Sequence, residues 1–255
     1  MSLFSIERRK VIVDHARSTG RADVTELTKL LGVSAETVRR DLTALEKSGL
    51  LRRVHGGAVP VERLSFESDL ATRSTRMIEE KTRVAEAVLA HLENAEAIYI
   101  DEGAIFQVLA DRFFPASPTT VVTNSLAIAV SLAGRPNVEV ISLGGRVRPK
   151  TLGAVDFWAV EMLETMVLDL AIIGANGISV KRGATVPDAA IAEVKAAAMK
   201  QSRRSILIAD HSKVGADSFV RFAGLDGFES FITDDGVDDE HAAELRAAGV
   251  DLILA

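Results

Sequence analysis

Polar and glycine residues gather where short β-rich runs stop. AIYI ends in Asp101-Glu102-Gly103, TVV in Thr123-Asn124-Ser125 and VEVISL in Gly144-Gly145-Arg146. DLAII ends in Gly174-Ala175-Asn176-Gly177, and SILIA in Asp210-His211-Ser212-Lys213. Glycines at such ends let backbone amides approach an anion, while Asn, Asp, Lys and Arg hold hydroxyls and a phosphate. Any one terminus is explained by turn formation alone. A lysine close after one strand and glycine turns after several others point to an anionic ligand. In TVPDAAIAEVK, Asp188, Glu193 and Lys195 add polar groups near the start of a helix whose Ile191, Val194 and Ala198 face inward.

A second constellation, GVSAETVRRDLTALEKSGLLRRVHGG, suits a polyanion. Ser34 caps a helix near Thr37, and Gly32 closes the helix before it. Val38, Leu42 and Leu45 form one buried stripe with Asp41 at its edge, so Glu36, Thr37, Arg40, Thr43 and Lys47 point away and Arg39 lies on the flank. Short polar and guanidinium side chains on the first turns are what a recognition helix offers to base edges. Downstream, Arg52 and Arg53 on a strand, then His55 and a Gly-Gly turn, suit a wing that holds phosphates. An isolated Arg pair would be an ordinary solvated face. The upstream helix changes that reading: Asp23 caps it, Glu26 sits at the capping-box position, and Val24, Leu27, Leu30 and Leu31 face inward.

Positioning these residues takes two domains. Ile6 to Ser18 reads as a first helix with Ile6, Val13 and Ala16 toward the core, Ile12 beside them, Arg8, Arg9 and Lys10 exposed, and Gly20 as its stop. Three helices and a wing then fill residues 1–58. Residues 59–74 read as a linker, with Pro60 and a mixed polar stretch. In residues 75–255 a helix bearing Ile78, Val84, Ala85, Val88, Leu89 and Leu92 precedes alternating strands and helices. That alternation predicts an α/β domain with a mainly parallel sheet covered on both faces. Ligands of such sheets lie beyond the carboxyl ends of the strands.

Charge divides the same way. Residues 1–60 hold 11 Lys+Arg against 7 Asp+Glu, a net +4, while the remainder carries −10 within the overall −6. A basic head suits nucleic acid, and an acidic body keeps it off the rest of the surface. Zero cysteines exclude disulfides and cysteine-held zinc, which suits a reducing compartment. The five histidines show no metal-ligand spacing, and no P-loop, GxSxG elbow or GxGxxG turn is present, so no metal, cofactor or catalytic residue is expected. The start, MSLFSIERRKV, lacks an apolar h-region, and no run is long enough to span a membrane, so the protein is expected to be soluble and cytoplasmic.

VSAETVRRDL and LLRRVHGGA, followed in order by VVTNSLAIAVSLA, NVEVISLGG, DLAIIGANGIS, TVPDAAIAEVK, ILIADHSK and SFVRFA, resemble the DeoR family of bacterial transcriptional regulators. The resemblance covers almost the whole chain. It implies a winged helix-turn-helix domain joined to an effector-binding domain with a ribose-5-phosphate isomerase-like fold. It also implies repression of a carbohydrate operon, relieved by a phosphorylated sugar. The expected partners are double-stranded operator DNA, that effector and further copies of the chain. Two departures stand out. Where the family often has DxGTT or DxGST, this chain has Ala104 and Ile105, without the hydroxyls that help bind phosphate. Where the isomerases carry a DGAD-like loop, this chain has Asn176, and an amide is no carboxylate base. An isomerase-like enzyme with a DNA-binding head and a DNA-binding scaffold without effector remain as alternatives.

Overall fold

Short polar residues set the helix starts in the computed structural model of the chain. It describes residues 5–19, 21–48, 50–54, 56–60, 67, 69–92 and 95–255, and divides into two compact units, Met1–Arg63 and Leu64–Ala255. The first unit runs α1 (Ser5–Thr19), β1 (Ala22–Asp23), α2 (Val24–Leu31), α3 (Ala35–Lys47), β2 (Leu51–Val54) and β3 (Gly57–Pro60). The Asp23 carboxylate accepts from the Thr25 amide at 2.9 Å, and the Ser34 hydroxyl accepts from the Thr37 amide at 3.2 Å. Each supplies an acceptor to a first turn that has none of its own. Between them Gly32 takes a φ of 63° and closes α2, so that α3 sets off in a new direction.

Ile12, Val13, Ala16, Leu27, Val38, Leu42, Leu45, Leu51 and Ala58 make the core of this unit. Two expected core residues are outside it: Ile6 is 80% and Leu30 55% exposed. Ile6 sits in the opening turn of α1. Leu30 falls about 60° beyond Leu27 around the helix, on a flank the core does not reach. The Asp41 carboxylate is buried and accepts from Arg8 Nε at 2.6 Å and Arg9 Nε at 2.9 Å. Two arginines expected in solvent therefore fasten α1 to α3. The strands form one antiparallel sheet in the order β1-β3-β2. A Cβ on Gly57 would stand 2.3 Å from the Ala22 carbonyl oxygen, so only glycine lets β3 lie against β1 here. Gly20 and His55, to which the sequence assigns a helix stop and a place in the wing, lie outside the described residues.

The second unit runs α4 (Leu70–Ser74), α5 (Ile78–Leu89), β4 (Ala97–Ile100), α6 (Ala104–Arg112), β5 (Thr119–Thr123), α7 (Leu126–Leu132) and β6 (Val138–Ser142). It continues with β7 (Arg146–Val147), β8 (Ala154–Val155), α8 (Phe157–Glu164), β9 (Leu168–Gly174), β10 (Gly177–Ser179), β11 (Gly183–Val186), α9 (Ala189–Lys200) and β12 (Ser202–Ile208). β13 (Val220–Ala223), β14 (Ser230–Thr233), α10 (Asp239–Ala247) and β15 (Leu252–Leu254) complete it. Seven strands form a parallel sheet in the order β15-β14-β12-β9-β4-β5-β6. Alternation along β4 sends Ile98 and Ile100 to one core with Val84, Phe106 and Ile128, and Tyr99 to the other with Ala159, Val194 and Ala198. From β4 the chain proceeds toward one edge, and from β9 toward the other. The carboxyl ends of these two neighbours are thus the topological switch point, where open α/β sheets form a crevice.

The expected linker over 59–74 is shorter in the structure. Val59 and Pro60 belong to β3, and Leu70–Ser74 is helical with the Leu70 amide donating to the Lys150 carbonyl at 2.8 Å. Apart from Glu67, residues 61–68 lie outside the described residues. Ile78, expected inward, is 55% exposed, since the inward face of α5 is carried by Lys81, Val84, Ala85 and Val88.

Candidate functional site

The outer face of α3 is set by the burial of its inner one. Ser34, Glu36, Arg39, Arg40, Thr43 and Lys47 are exposed, and Thr37 is half-buried beside the Ser34 cap. Among the described residues Arg40 pairs with Glu36 at 3.5 Å, with both side chains exposed, a pair worth little and easily exchanged for another acceptor. The wing arginines differ from each other. Arg52 is exposed. Arg53 donates from Nε to the Gly57 carbonyl at 3.2 Å and from Nη1 to the Arg39 carbonyl and Thr43 Oγ1, while its amide reaches Glu46 Oε1 at 2.9 Å. Arg53 therefore braces the wing against α3, and the freely offered wing cation among the described residues is Arg52.

In the second unit the switch point is closed by Asp101. Its Oδ2 accepts from the Gly174 amide at 2.8 Å and pairs with Lys195 Nζ, and its Oδ1 accepts from the Glu102 amide at 2.8 Å. Both Asp101 and Lys195 are buried, which places α9 and the ends of β4 and β9 in one charged knot. Glu102, beside it, accepts from Thr151 Oγ1 at 2.7 Å and Arg148 Nη1 at 3.2 Å. Burial pushes the Glu102 carboxyl above its ordinary value, against the pull of Lys195 and Arg148. Gly153 is what admits this side chain, because a Cβ there would overlap Glu102 Oε2 at 1.4 Å.

Arg148 also pairs with Glu67, which lies 3.8 Å from Arg73 Nη1. Burial opposes the charge on Arg148, and the Glu67 hydrogen bond with the Glu67, Glu102 and Asp188 carboxylates outweighs it, holding the guanidinium's pKa above its ordinary value. Arg73 Nε and Nη2 are buried with no hydrogen-bond acceptor among the described residues. Close by, buried Lys81 donates to the Arg73 carbonyl at 2.6 Å and to the Arg76 carbonyl. Burial pulls the pKa of Lys81 down, with Asp210 acting upward and Lys213, Arg73 and Arg76 acting downward. Asp210 and Lys213 thus share the electrostatic surroundings of Lys81, and Lys213 has no ion pair among the described residues. Gly103, with a φ of 135°, opens α6 without a side-chain cap, leaving its first-turn amides without intrahelical acceptors. These amides add positive dipoles beside the Glu102–Arg148 pair.

Other sequence-predicted residues are placed elsewhere. Asn124 is engaged on both sides: Oδ1 accepts from the Tyr99 hydroxyl at 2.9 Å and Nδ2 donates to the Ala154 carbonyl at 3.2 Å. Thr123 Oγ1 accepts from the Ser125 amide at 3.1 Å. Gly144 and Gly145 are exposed, and Arg146 pairs in solvent with Asp156 at 2.6 Å, so Arg148 rather than Arg146 reaches the strand ends. Gly177 pairs with Thr185 in a hairpin, Asn176 is half-buried beside it, and Asp188 caps α9 through the Ala190 amide. Glu193 faces solvent while its neighbours Ile191 and Val194 are buried. A separate cleft of about 630 Å³ between β10 and α10, lined by Ile178, Val214, His241 and Leu245 among others, contains none of the strand-end residues. Its position gives no reason to prefer it over the charged switch point.

The comparisons with known proteins agree with both halves. Residues 8–63 match the DeoR-like helix-turn-helix domain, and residues 76–235 match the DeoR C terminal sensor domain. The chain belongs to the DeoR family of transcriptional regulators. An HTH-type transcriptional regulator, GlpR of Haloferax volcanii, is 34% identical over 97% of this chain and 96% of its own. The HTH-type transcriptional repressor GlcR of Bacillus subtilis is 29% identical over 99% and 97%. Among solved structures, a D-ribose-5-phosphate isomerase in complex with phospho-erythronic acid is 14% identical with a TM-score of 0.40 over 53% of each chain. A score that low carries no argument, and the strand order above is what describes the fold. This DeoR-family chain is therefore a DNA-binding regulator with a sensor domain. No helix among the described residues is long and apolar enough to cross a membrane.

Proposed function

We propose that this DeoR-family regulator represses an operon and is released from it by a phosphorylated sugar bound at the switch point of the second unit. The observation that carries the reading is Arg148 held on Glu102 beside the uncapped start of α6, with Arg73 on α4 and Lys81 on the Arg73 carbonyl; Lys213, after β12, is added as a strand-end cation. These cations stand in for the hydroxyls that Ala104 and Ile105 do not provide, and Asn176, with the Asp210 oxygen that Ser212 leaves open, is available to sugar hydroxyls. Asp101 and Asn124 hold the strand ends in place, their acceptors and donors being largely taken. Repression is supported by the relative named a repressor. No reaction is assigned, because the groups at the strand ends are held in ion pairs and the relatives are regulators.

Titrating sugar phosphates against the full chain tests this. A ligand present at a hundred times its Kd stabilises by about 2.7 kcal/mol through mass action. Lys213→Ala is expected to keep operator affinity and lose the response to effector, which in the wild type weakens operator binding about 5–150-fold. A Lys213→Ala protein that still binds and responds normally would remove Lys213 from the site.

On DNA, Arg40 is assigned to a base edge and Arg52 to a phosphate. Arg40→Ala should cost about 1–3 kcal/mol on operator and less on random duplex. Arg52→Ala should weaken both duplexes alike and flatten the salt dependence by about one unit. Equal losses on both duplexes for Arg40→Ala would contradict its assignment. One winged head buries only about 600–1,000 Å² on DNA, so the reading includes a homo-oligomer that presents at least two. The exposed Phe157–Trp158 pair, edge-to-face at 5.4 Å, supports a contact between copies.

A further inference from the structure

Glu67 is held by two guanidinium groups unequally. Its carboxylate is buried on Arg148, whose other terminal nitrogen is already neutralised by Glu102 and hydrogen-bonded to Thr151 Oγ1 at 3.1 Å. One guanidinium therefore serves two buried carboxylates. Arg73, the second cation, comes no nearer to Glu67 than 3.8 Å, and two of its buried nitrogens find no acceptor among the described residues. Leaving such donors unpaired is unfavourable. A carboxylate has two oxygens and one charge. A phosphate monoester has three terminal oxygens and nearly two charges, so it can satisfy Arg148 and Arg73 together.

Position agrees with stoichiometry. Glu102 directly precedes Gly103, which opens α6, and Ser74 of α4 donates to Gln107 of α6 at 3.2 Å. The Glu67 carbonyl also accepts from Lys150 Nζ at 3.1 Å, and the Lys150 carbonyl accepts from the Leu70 amide. The loop that carries Arg148 and the residues that carry Glu67 and Arg73 are thus fastened to each other beside the proposed phosphate site. We propose that Glu67 is a built-in anion that occupies the Arg148 and Arg73 guanidinium groups until a phosphate-bearing ligand replaces it, which makes Arg73 and Arg148 ligand-binding residues and Glu67 the competitor that sets affinity. The proposal rests on the reading of the second unit as a phosphate-binding sensor. In sequence, Glu67 stands four residues after Arg63, the end of the first unit.

The test is calorimetric titration of the full chain with inorganic phosphate at constant ionic strength. Glu67→Gln keeps the shape and removes the charge, and is expected to bind phosphate about tenfold more tightly, as removing a competitor that leaves about a tenth of the molecules competent would give. Arg73→Met leaves the Glu67–Arg148 pair intact and is expected to bind phosphate about tenfold more weakly. Glu67→Asp should return affinity toward the wild type, which a merely structural role for the Gln side chain would not produce. Folded Glu67→Gln with unchanged or weaker phosphate binding overturns the proposal. Where that variant does not fold, Arg73→Met decides, and unchanged affinity there overturns it too. A wild type that responds to sugar phosphates while all variants bind phosphate equally defeats this inference alone. Tighter phosphate binding by Glu67→Gln with no response to any sugar phosphate instead defeats the effector reading and leaves the competitor standing.

Discussion

Lys195→Met is expected to cost the second unit about 3–5 kcal/mol, the range for leaving one member of a buried ion pair without its partner. Asp101 is wholly inaccessible and Lys195 is nearly so, so the orphaned carboxylate gains no water. The Gly174 and Glu102 amides still donate to it, which places the expected loss toward the lower end of the range. Adding Asp101→Asn to Lys195→Met removes the buried charge while keeping an acceptor for the Gly174 amide, and should restore much of the lost stability. Denaturant unfolding of the full chain, with the transition of the larger unit followed, measures both. A Lys195→Met protein within about 1 kcal/mol of the wild type would show that the knot is incidental. Because α9 and the ends of β4 and β9 meet at this pair, the same loss should loosen the walls of the proposed site and weaken ligand binding along with stability.

Both domains are legible in the sequence for physical reasons that can be named. Ser34, Asp23 and Gly32 are cap residues, and each performs that task in the structure. Short β-rich runs alternating with helical stretches permit little besides a parallel sheet, and the sheet puts the ends of β4 and β9 side by side. Less legible is which strand-end residues are free. Asn124 and Arg146 look available in the sequence, and one is consumed by Tyr99 and Ala154 while the other pairs with Asp156. Those partners lie on other elements, and spacing alone cannot supply them.

Some of the buried charges do leave a trace in the sequence. Lys81 falls on the same helical face as Val84, Ala85 and Val88, and Lys195 on the face of Ile191, Val194 and Ala198. A lysine at a core position must find an acceptor or lose its charge. Helical periodicity by itself therefore marks both as buried cations. Glu67 and Arg148 carry no such mark, since each lies outside a helix and meets its partners from other parts of the chain. Asp41 shows the same rule in the first unit, on the stripe of Val38, Leu42 and Leu45.

That stripe leads to the second large effect, Asp41→Ala, for which a loss of about 3 kcal/mol is expected from breaking the buried pair with Arg8. Arg9 is 41% exposed at its side chain and reverts to water, so it adds little to the loss. A domain of this size has about 3–9 kcal/mol in all. For so small a unit the loss lowers its melting temperature by about 12–24 °C. Well below that temperature the head remains folded and the α3 surface is intact, so operator affinity should be close to that of the wild type in the cold and collapse early on warming. Arg40→Ala makes the opposite pattern: affinity for operator falls at every temperature while the melting of the head stays put, because an exposed side chain with one weak partner holds nothing together. Calorimetric scans of the full chain, read beside operator titrations at several temperatures, separate the two. An Asp41→Ala head that melts within a few degrees of the wild type would mean that α1 is fastened to α3 by its apolar contacts alone.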